Sequence, residues 1–191
     1  MTTKKPVYVD EIFGELKLHE SEKWTVVHLK PRREKKIAQY AKNNDIVYYL
    51  PQYESEKKYS HKIIKFTKPL FPGYFFVRCD EKKRNKLIIS GHIVSFLKII
   101  NESSFLNELK QIYLGRNFNA KFEKHEYLDK GYIVEFVQGP LKGLKGIVKN
   151  ADNINEVVLQ VSILKQAVSV KADIRVLKIL EKLESYHTSL S

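Results

Sequence analysis

The side chains that can do chemistry in this chain do it by contact, not by making bonds. In the segment PLFPGYFFVR, Phe71, Tyr74 and Phe76 flank the pair Pro72-Gly73. Proline cannot donate a ladder hydrogen bond and glycine tolerates positive φ, so FPGY reads as a tight turn feeding a strand. Along that strand the period of two sets Tyr74 and Phe76 on the face opposite Phe75 and Val77. Either face can be the core, and the spacing alone leaves that open. Basic residues gather at KPRREKK (30–36), KKYSHKIIKFTK (57–68) and KKRNK (82–86). With 34 Lys and Arg against 22 Asp and Glu, the formal charge is +12. Such a balance favours a polyanionic partner, or serves solubility alone; the distribution of charge has to decide.

Bond-making chemistry finds little to work with. The six histidines are scattered without ligand spacing and Cys79 has no cysteine neighbour, so neither a metal nor a disulfide is expected. Cys79 ends a strand-like run, where a small buried hydrophobe is the ordinary reading, and no histidine has an orienting acid at readable spacing. The loop GPLKGLKG lies between strands and lacks the lysine-hydroxyl order of a nucleotide loop. No enzyme and no cofactor are expected.

The elements that must position these residues fall into two textures. Residues 1–22 read as a mobile N-terminal extension with one short amphipathic turn at Ile12, Phe13 and Leu16. Residues 24–29 (WTVVHL) form a β-branched strand, followed by Pro31 and a helix to about residue 44 with Ile37, Tyr40 and Ala41 on one face and cations on the other. Strands follow at 46–50, at 62–66 pairing as a hairpin with the aromatic strand after the turn, and at 93–100; helices follow at 81–89 and after a cap at Ser103 or Ser104. This order predicts an α+β domain over 23–114, with helices on a largely antiparallel sheet. Residues 115–124 read as a linker. Over 125–181 the chain turns to short β runs with four of its eight glycines between 131 and 146, the pattern of a small β-barrel, with a tail at 182–191. No run approaches the length of a membrane span and the start lacks a secretion signal, so a cytoplasmic protein is expected.

WTVVHLKPRREKKIA, IVYYLP and PLFPGYFFVR together resemble the N-terminal domain of the NusG family of transcription elongation factors. Independently, KGYIVEFVQGPLKGLKGIVKN resembles the KOW motif of their C-terminal domain, a five-stranded SH3-like barrel, with Gly139-Pro140 and Gly146 at its turn and strand-entry positions. The two motifs come in the family's order and cover nearly everything from Trp24 to Leu180. KPRREKK, YLPQYESEKKYSHKIIKF and PLFPGY look closest to the specialised RfaH-like branch and the antiterminators of capsule and polysaccharide operons.

That resemblance implies a factor without chemistry of its own that binds the clamp helices of RNA polymerase and promotes processive elongation or antitermination of particular long operons, as a monomer. It transfers the polymerase contact to Phe71, Tyr74 and Phe76, where buried aromatic anchors would each contribute about 2 kcal/mol or more. It assigns Lys30, Arg33, Lys36 and Tyr40 to the exposed non-template DNA strand, the cations through counterion release and the ring by stacking worth about 1–3 kcal/mol per base. The region matching the His-Thr-Thr contact of RfaH, EKKRNKLIISG (81–91), is shorter and lacks those residues, leaving Lys86 or Ser90 as the side chains that could remake the contact. In the barrel, the loop SILKQA would bring Ile163 and Leu164 to a small-subunit ribosomal protein or to the termination factor Rho, although an aromatic is usual at Leu164 and Lys165-Gln166 stands for a Gly-Arg pair. The competing readings are the general housekeeping NusG factor, and an RNA-binding or ribosome-associated KOW protein that never touches polymerase.

Overall fold

Two units, Met1–Leu106 and Asn107–Ser191, divide the chain in the computed structural model, which describes residues 8–60, 62–117 and 121–183. In the first, β1 (Ile12–Phe13), β2 (Lys23–Leu29), α1 (Glu34–Asn43) and β3 (Val47–Tyr49) precede a charged pair of strands, β4 (Gln52–Tyr59) and β5 (Lys62–Pro69). Then come β6 (Tyr74–Cys79), α2 (Glu81–Ile89), β7 (Ile93–Leu97) and α3 (Glu102–Asn117), whose first residues close this unit and whose remainder opens the next. The fold is α+β, with antiparallel sheets.

The five-stranded sheet has the order β1-β3-β6-β2-β7. Its alternation buries Val27, Leu29, Phe75 and Val77 against Ile37, Ala38 and Ala41 of α1 and Leu87 of α2. Asp80 caps α2, its carboxylate accepting from the Lys83 N–H at 2.7 Å. The side chain of Asn101, not of either serine, takes the capping position of α3, accepting from the Ser104 N–H at 2.9 Å.

Two expectations about the first unit change. Residues 8–22 of the supposed mobile extension are built into the domain, residues 1–7 lying outside the described chain. Ile12 and Phe13 pair with Tyr49 and Tyr48, and the Leu50 N–H donates to Glu11 O at 2.7 Å. A two-residue strand is too short for a periodicity signal, so nothing in the composition marks it. Second, β5 pairs with β4 rather than with the aromatic strand, forming a separate two-stranded hairpin, while β6 sits between β3 and β2. β4 reads QYESEKKY; its polar character hides a strand exposed on most of its length.

In the second unit, β8 (Glu123–His125), β9 (Gly131–Phe136), β10 (Lys145–Val148), β11 (Glu156–Val161), β12 (Gln166–Lys171) and β13 (Leu177–Leu183) make one antiparallel sheet in the order β13-β9-β10-β11-β12-β8. Its six strands exceed the expected five because β8 begins inside the stretch read as linker, and β13 runs on past residue 181; residues 118–120 and 184–191 are outside the described chain. Val134, Phe136, Val148, Val157, Leu159, Val161, Val168 and Val170 are buried. The part of α3 in this unit contributes Leu109 and Ile112 to the buried set, and Gly115 approaches Phe122 and Leu159 closely.

Candidate functional site

The turn at Pro72-Gly73 forms as the residues demand. Gly73 takes φ +84°, which a side-chain-bearing residue would resist, and the Tyr74 N–H donates back to Phe71 O at 3.2 Å. It is held from both sides: Gly73 O accepts from the Leu29 N–H at 2.8 Å, and the Gly73 N–H donates to the Glu34 carboxylate at 2.9 Å. Tyr74, Phe76 and Arg78 share one sheet face with His28, Val26 and Trp24 of β2, their cross-strand partners. On it Phe76 meets Phe71 edge-on at 6.0 Å and Phe105 edge-on at 5.7 Å, with Tyr49 at 6.3 Å. Phe71 is 2% and Phe76 0% exposed. Tyr74 is half-buried, its ring stacked on His28 at 5.4 Å. Of the three aromatics singled out from sequence, only Tyr74 therefore has surface that a partner can reach in this conformation; Phe71 and Phe76 form the packed floor beside it.

The basic loop and helix start assemble a second feature. Lys30 and Lys36 are exposed and Arg33 is half-exposed; Arg32, one residue before Arg33, takes φ +59°, a left-handed conformation that stores strain in a non-glycine residue. The Lys30 N–H bonds His92 O at 2.9 Å and its ammonium bonds Gly91 O at 2.8 Å, fastening this loop to the segment before β7. Burial, and after it the charges of Arg33, Lys36 and Lys30, hold His92 below the ordinary imidazole value. His92, 56 positions after Lys36 in the chain, is thus a member of the cluster that the sequence gave no means of finding. Tyr40 is placed differently from its assignment: its hydroxyl donates to Lys86 O at 3.0 Å and its ring packs against the α1–α2 core, which leaves little face for a base to stack on.

This stretch of chain has a recognisable match. Residues 22–111 match the NusG family, described as transcription termination factor nusG. No curated protein matches the chain. The NusG match spans the aromatic turn and the basic cluster, and it supports a role in transcription. It ends inside α3, before the second sheet begins.

Beyond that NusG match, Ile163 and Leu164 sit in a short 3-10 turn, Ser162–Leu164, between β11 and β12. Leu164 is buried and Ile163 half-buried, so Leu164 serves the packing of the unit and Ile163 alone keeps surface to offer. The turn is gripped by α3: the Glu108 carboxylate accepts from the Ser162 N–H at 3.0 Å and from the Ser162 hydroxyl. Next to it Lys165, at φ +50°, places its ammonium 4.2 Å from the centre of the Tyr127 ring and 3.2 Å from the Asp129 carboxylate. Burial pushes the Glu108 carboxyl up, against the opposing effect of the two hydrogen bonds from Ser162. A raised folded-state value means that the group's contribution to stability is full below 4.5 and is lost as pH rises through the higher value. Glu108→Gln removes the titration, so the stability advantage of wild type over the variant is expected to shrink as pH rises above 4.5. Thermal unfolding of both proteins across that range measures it, and parallel profiles would show that the contact does not titrate.

Among the described residues no three or more His, Cys, Asp or Glu side chains come together as metal ligands. Cys79 is buried, and burial pushes its thiol up to about 11, far from the thiolate that a nucleophile requires. No helix among the described residues is long and apolar enough to cross a membrane.

Proposed function

We propose that this protein is a transcription elongation factor of the antiterminator kind, binding RNA polymerase through its first unit and favouring the elongating over the paused state. Only a difference in affinity between those two states can shift their balance, so the factor needs no catalytic group. The observation that carries the reading is the NusG match over residues 22–111, which spans both the aromatic turn and the basic cluster. In this reading Tyr74, held by its stack on His28, touches the polymerase clamp helices, with the packed rings of Phe71 and Phe76 beside it. An aromatic held over a packed base loses little entropy on docking, which is how interface anchors gain affinity.

Lys30, Arg33 and Lys36 then face the non-template strand, neutralising phosphates, while Tyr40 ties their helix to α2. The turn carrying Ile163 recruits a further protein of the translation or termination machinery, a small-subunit ribosomal protein or Rho. The resemblance of KPRREKK and PLFPGY to the RfaH-like branch supports reading the factor as a specialist for a few long operons. Co-purification with core polymerase tests the reading. Association is expected to survive nuclease treatment; its disappearance with the nucleic acid would favour an RNA-binding protein instead.

A further inference from the structure

The β4–β5 hairpin takes no part in the site above, yet its two faces differ sharply in chemistry. The register pairs Tyr53 with Lys68, Ser55 with Phe66, Lys57 with Ile64 and Tyr59 with Lys62. Because alternate residues share a face, these four pairs all lie on one side of the ribbon. That side carries the cations Lys57, Lys62 and Lys68 and no acid, whereas Glu54 and Glu56 both lie on the other side.

The opposite side is the one that is tied down. There Gln52, 3% exposed, donates to Val9 O at 3.2 Å and accepts from the Thr67 hydroxyl at 2.7 Å. Thr67 in turn accepts from the Lys35 ammonium at 2.9 Å, and the Tyr8 hydroxyl bonds Lys65 O at 2.7 Å. The hairpin base is thereby anchored to α1 and residues 8–9 through this opposite side, where Lys58 and Lys65 balance Glu54 and Glu56, and among the described residues no such tether reaches the basic side.

On that side rings and cations alternate. Lys57 lies over the Tyr59 ring at 5.2 Å and Lys68 over Phe66 at 5.4 Å. Tyr53 is 36% and Tyr59 50% exposed. None of Lys57, Lys62 and Lys68 forms an ion pair with an acid among the described residues. A face of accessible rings interleaved with unneutralised ammonium groups is complementary to a strand whose bases are unpaired and whose backbone is anionic. The hydroxyls of Tyr53, Ser55 and Tyr59 add groups that can donate to or accept from a ribose 2′-hydroxyl.

We propose that this face of the β4–β5 hairpin is a binding site for single-stranded RNA, the rings stacking bases and Lys57, Lys62 and Lys68 holding phosphates. The site is separate from the polymerase contact and stands or falls without it.

Fluorescence anisotropy with the full chain and a labelled 12-nucleotide single-stranded RNA tests it in the absence of polymerase. The triple variant Tyr53→Ala, Tyr59→Ala, Phe66→Ala is expected to weaken binding at least about tenfold, given the stacking contribution of each base. The leucine versions at the same positions preserve bulk without an aromatic face and are expected to lose as much, which separates stacking from damage to the hairpin. Replacing Lys57, Lys62 and Lys68 with Gln is expected to flatten the slope of log affinity against log salt by about 0.7 for each phosphate contact removed. Lys58→Gln with Lys65→Gln, on the opposite, charge-balanced side, is expected to leave affinity within about twofold. Single-stranded DNA of the same sequence and duplex RNA are expected to bind more weakly. Wild-type affinity in the ring variants, or an equal loss in the Lys58 and Lys65 variant, would overturn the site; DNA binding as tightly as RNA would overturn its assignment to RNA.

Discussion

Glu22→Ala is expected to destabilise the first unit by about 3–5 kcal/mol and to lower its thermal midpoint by at least about 10 °C. Glu22 and Arg78 are both buried, at 7% exposure each, and their side chains meet at 3.1 Å. The other carboxylate oxygen receives the Lys83 ammonium at 2.5 Å. Arg78 also donates to Lys17 O at 3.3 Å, and the Trp24 indole N–H donates to the same carbonyl at 2.9 Å. The network thus fastens residues 17–22 to β2, β6 and α2. Removing the carboxylate strands a buried guanidinium, and that uncompensated charge accounts for the size of the effect. Changing both partners, as Glu22→Leu with Arg78→Met, is expected to recover much of the loss, since the only charge left without its partner is the Lys83 ammonium, whose side chain is partly exposed to solvent. Burial alone would push the Glu22 carboxyl up, but hydrogen bonds and charge from Lys83 and Arg78 outweigh it and hold the group below 4.5. Its contribution is therefore present above 4.5 and is lost as pH falls through the lowered value, so acid unfolding of wild type should be steeper than that of the double variant. A Glu22→Ala protein that melts with wild type would show that the pair contributes nothing.

Gly146→Ala is expected to have a large effect in the second unit. A Cβ placed there would lie 2.4 Å from Val157 Cγ1 and 2.6 Å from Val158 O. The first contact can be relieved by a side-chain shift, but the second is backbone, so β10 and β11 would have to separate at the middle of the sheet. A loss of about 3 kcal/mol or more follows, read as early melting of this unit with the first unit unchanged. A Gly146→Ala sheet as stable as wild type would mean that β10 and β11 lie further apart than described.

Much of this fold is written locally. The β-branched strand at 24–29, the helix after Pro31, the FPGY turn and the helix at 81–89 all arise where propensity and periodicity agree, and each forms within a few residues of its expected bounds. What could not be read depends on partners distant in sequence. β1 exists because β3 offers it an edge, and β4 exists because β5 pairs with it; neither sequence has an alternation strong enough to announce a strand. The site divides in the same way. The turn at Gly73 and the cations of α1 follow from residue type. The burial of Phe71 and Phe76, the engagement of the Tyr40 hydroxyl by Lys86 O and the arrival of His92 among the cations follow only from the tertiary arrangement.

The proposed contact for RNA polymerase rests on Tyr74, half-buried and stacked on His28. Titrating nuclease-treated core polymerase with wild type and with Tyr74→Asp, while circular dichroism confirms that both are folded, tests it most directly. The account predicts saturable binding by wild type in the absence of nucleic acid and at least about a 30-fold loss for Tyr74→Asp, from about 2 kcal/mol for a lost aromatic anchor. Equal binding by the two proteins, or no binding by wild type once nucleic acid is removed, would contradict it.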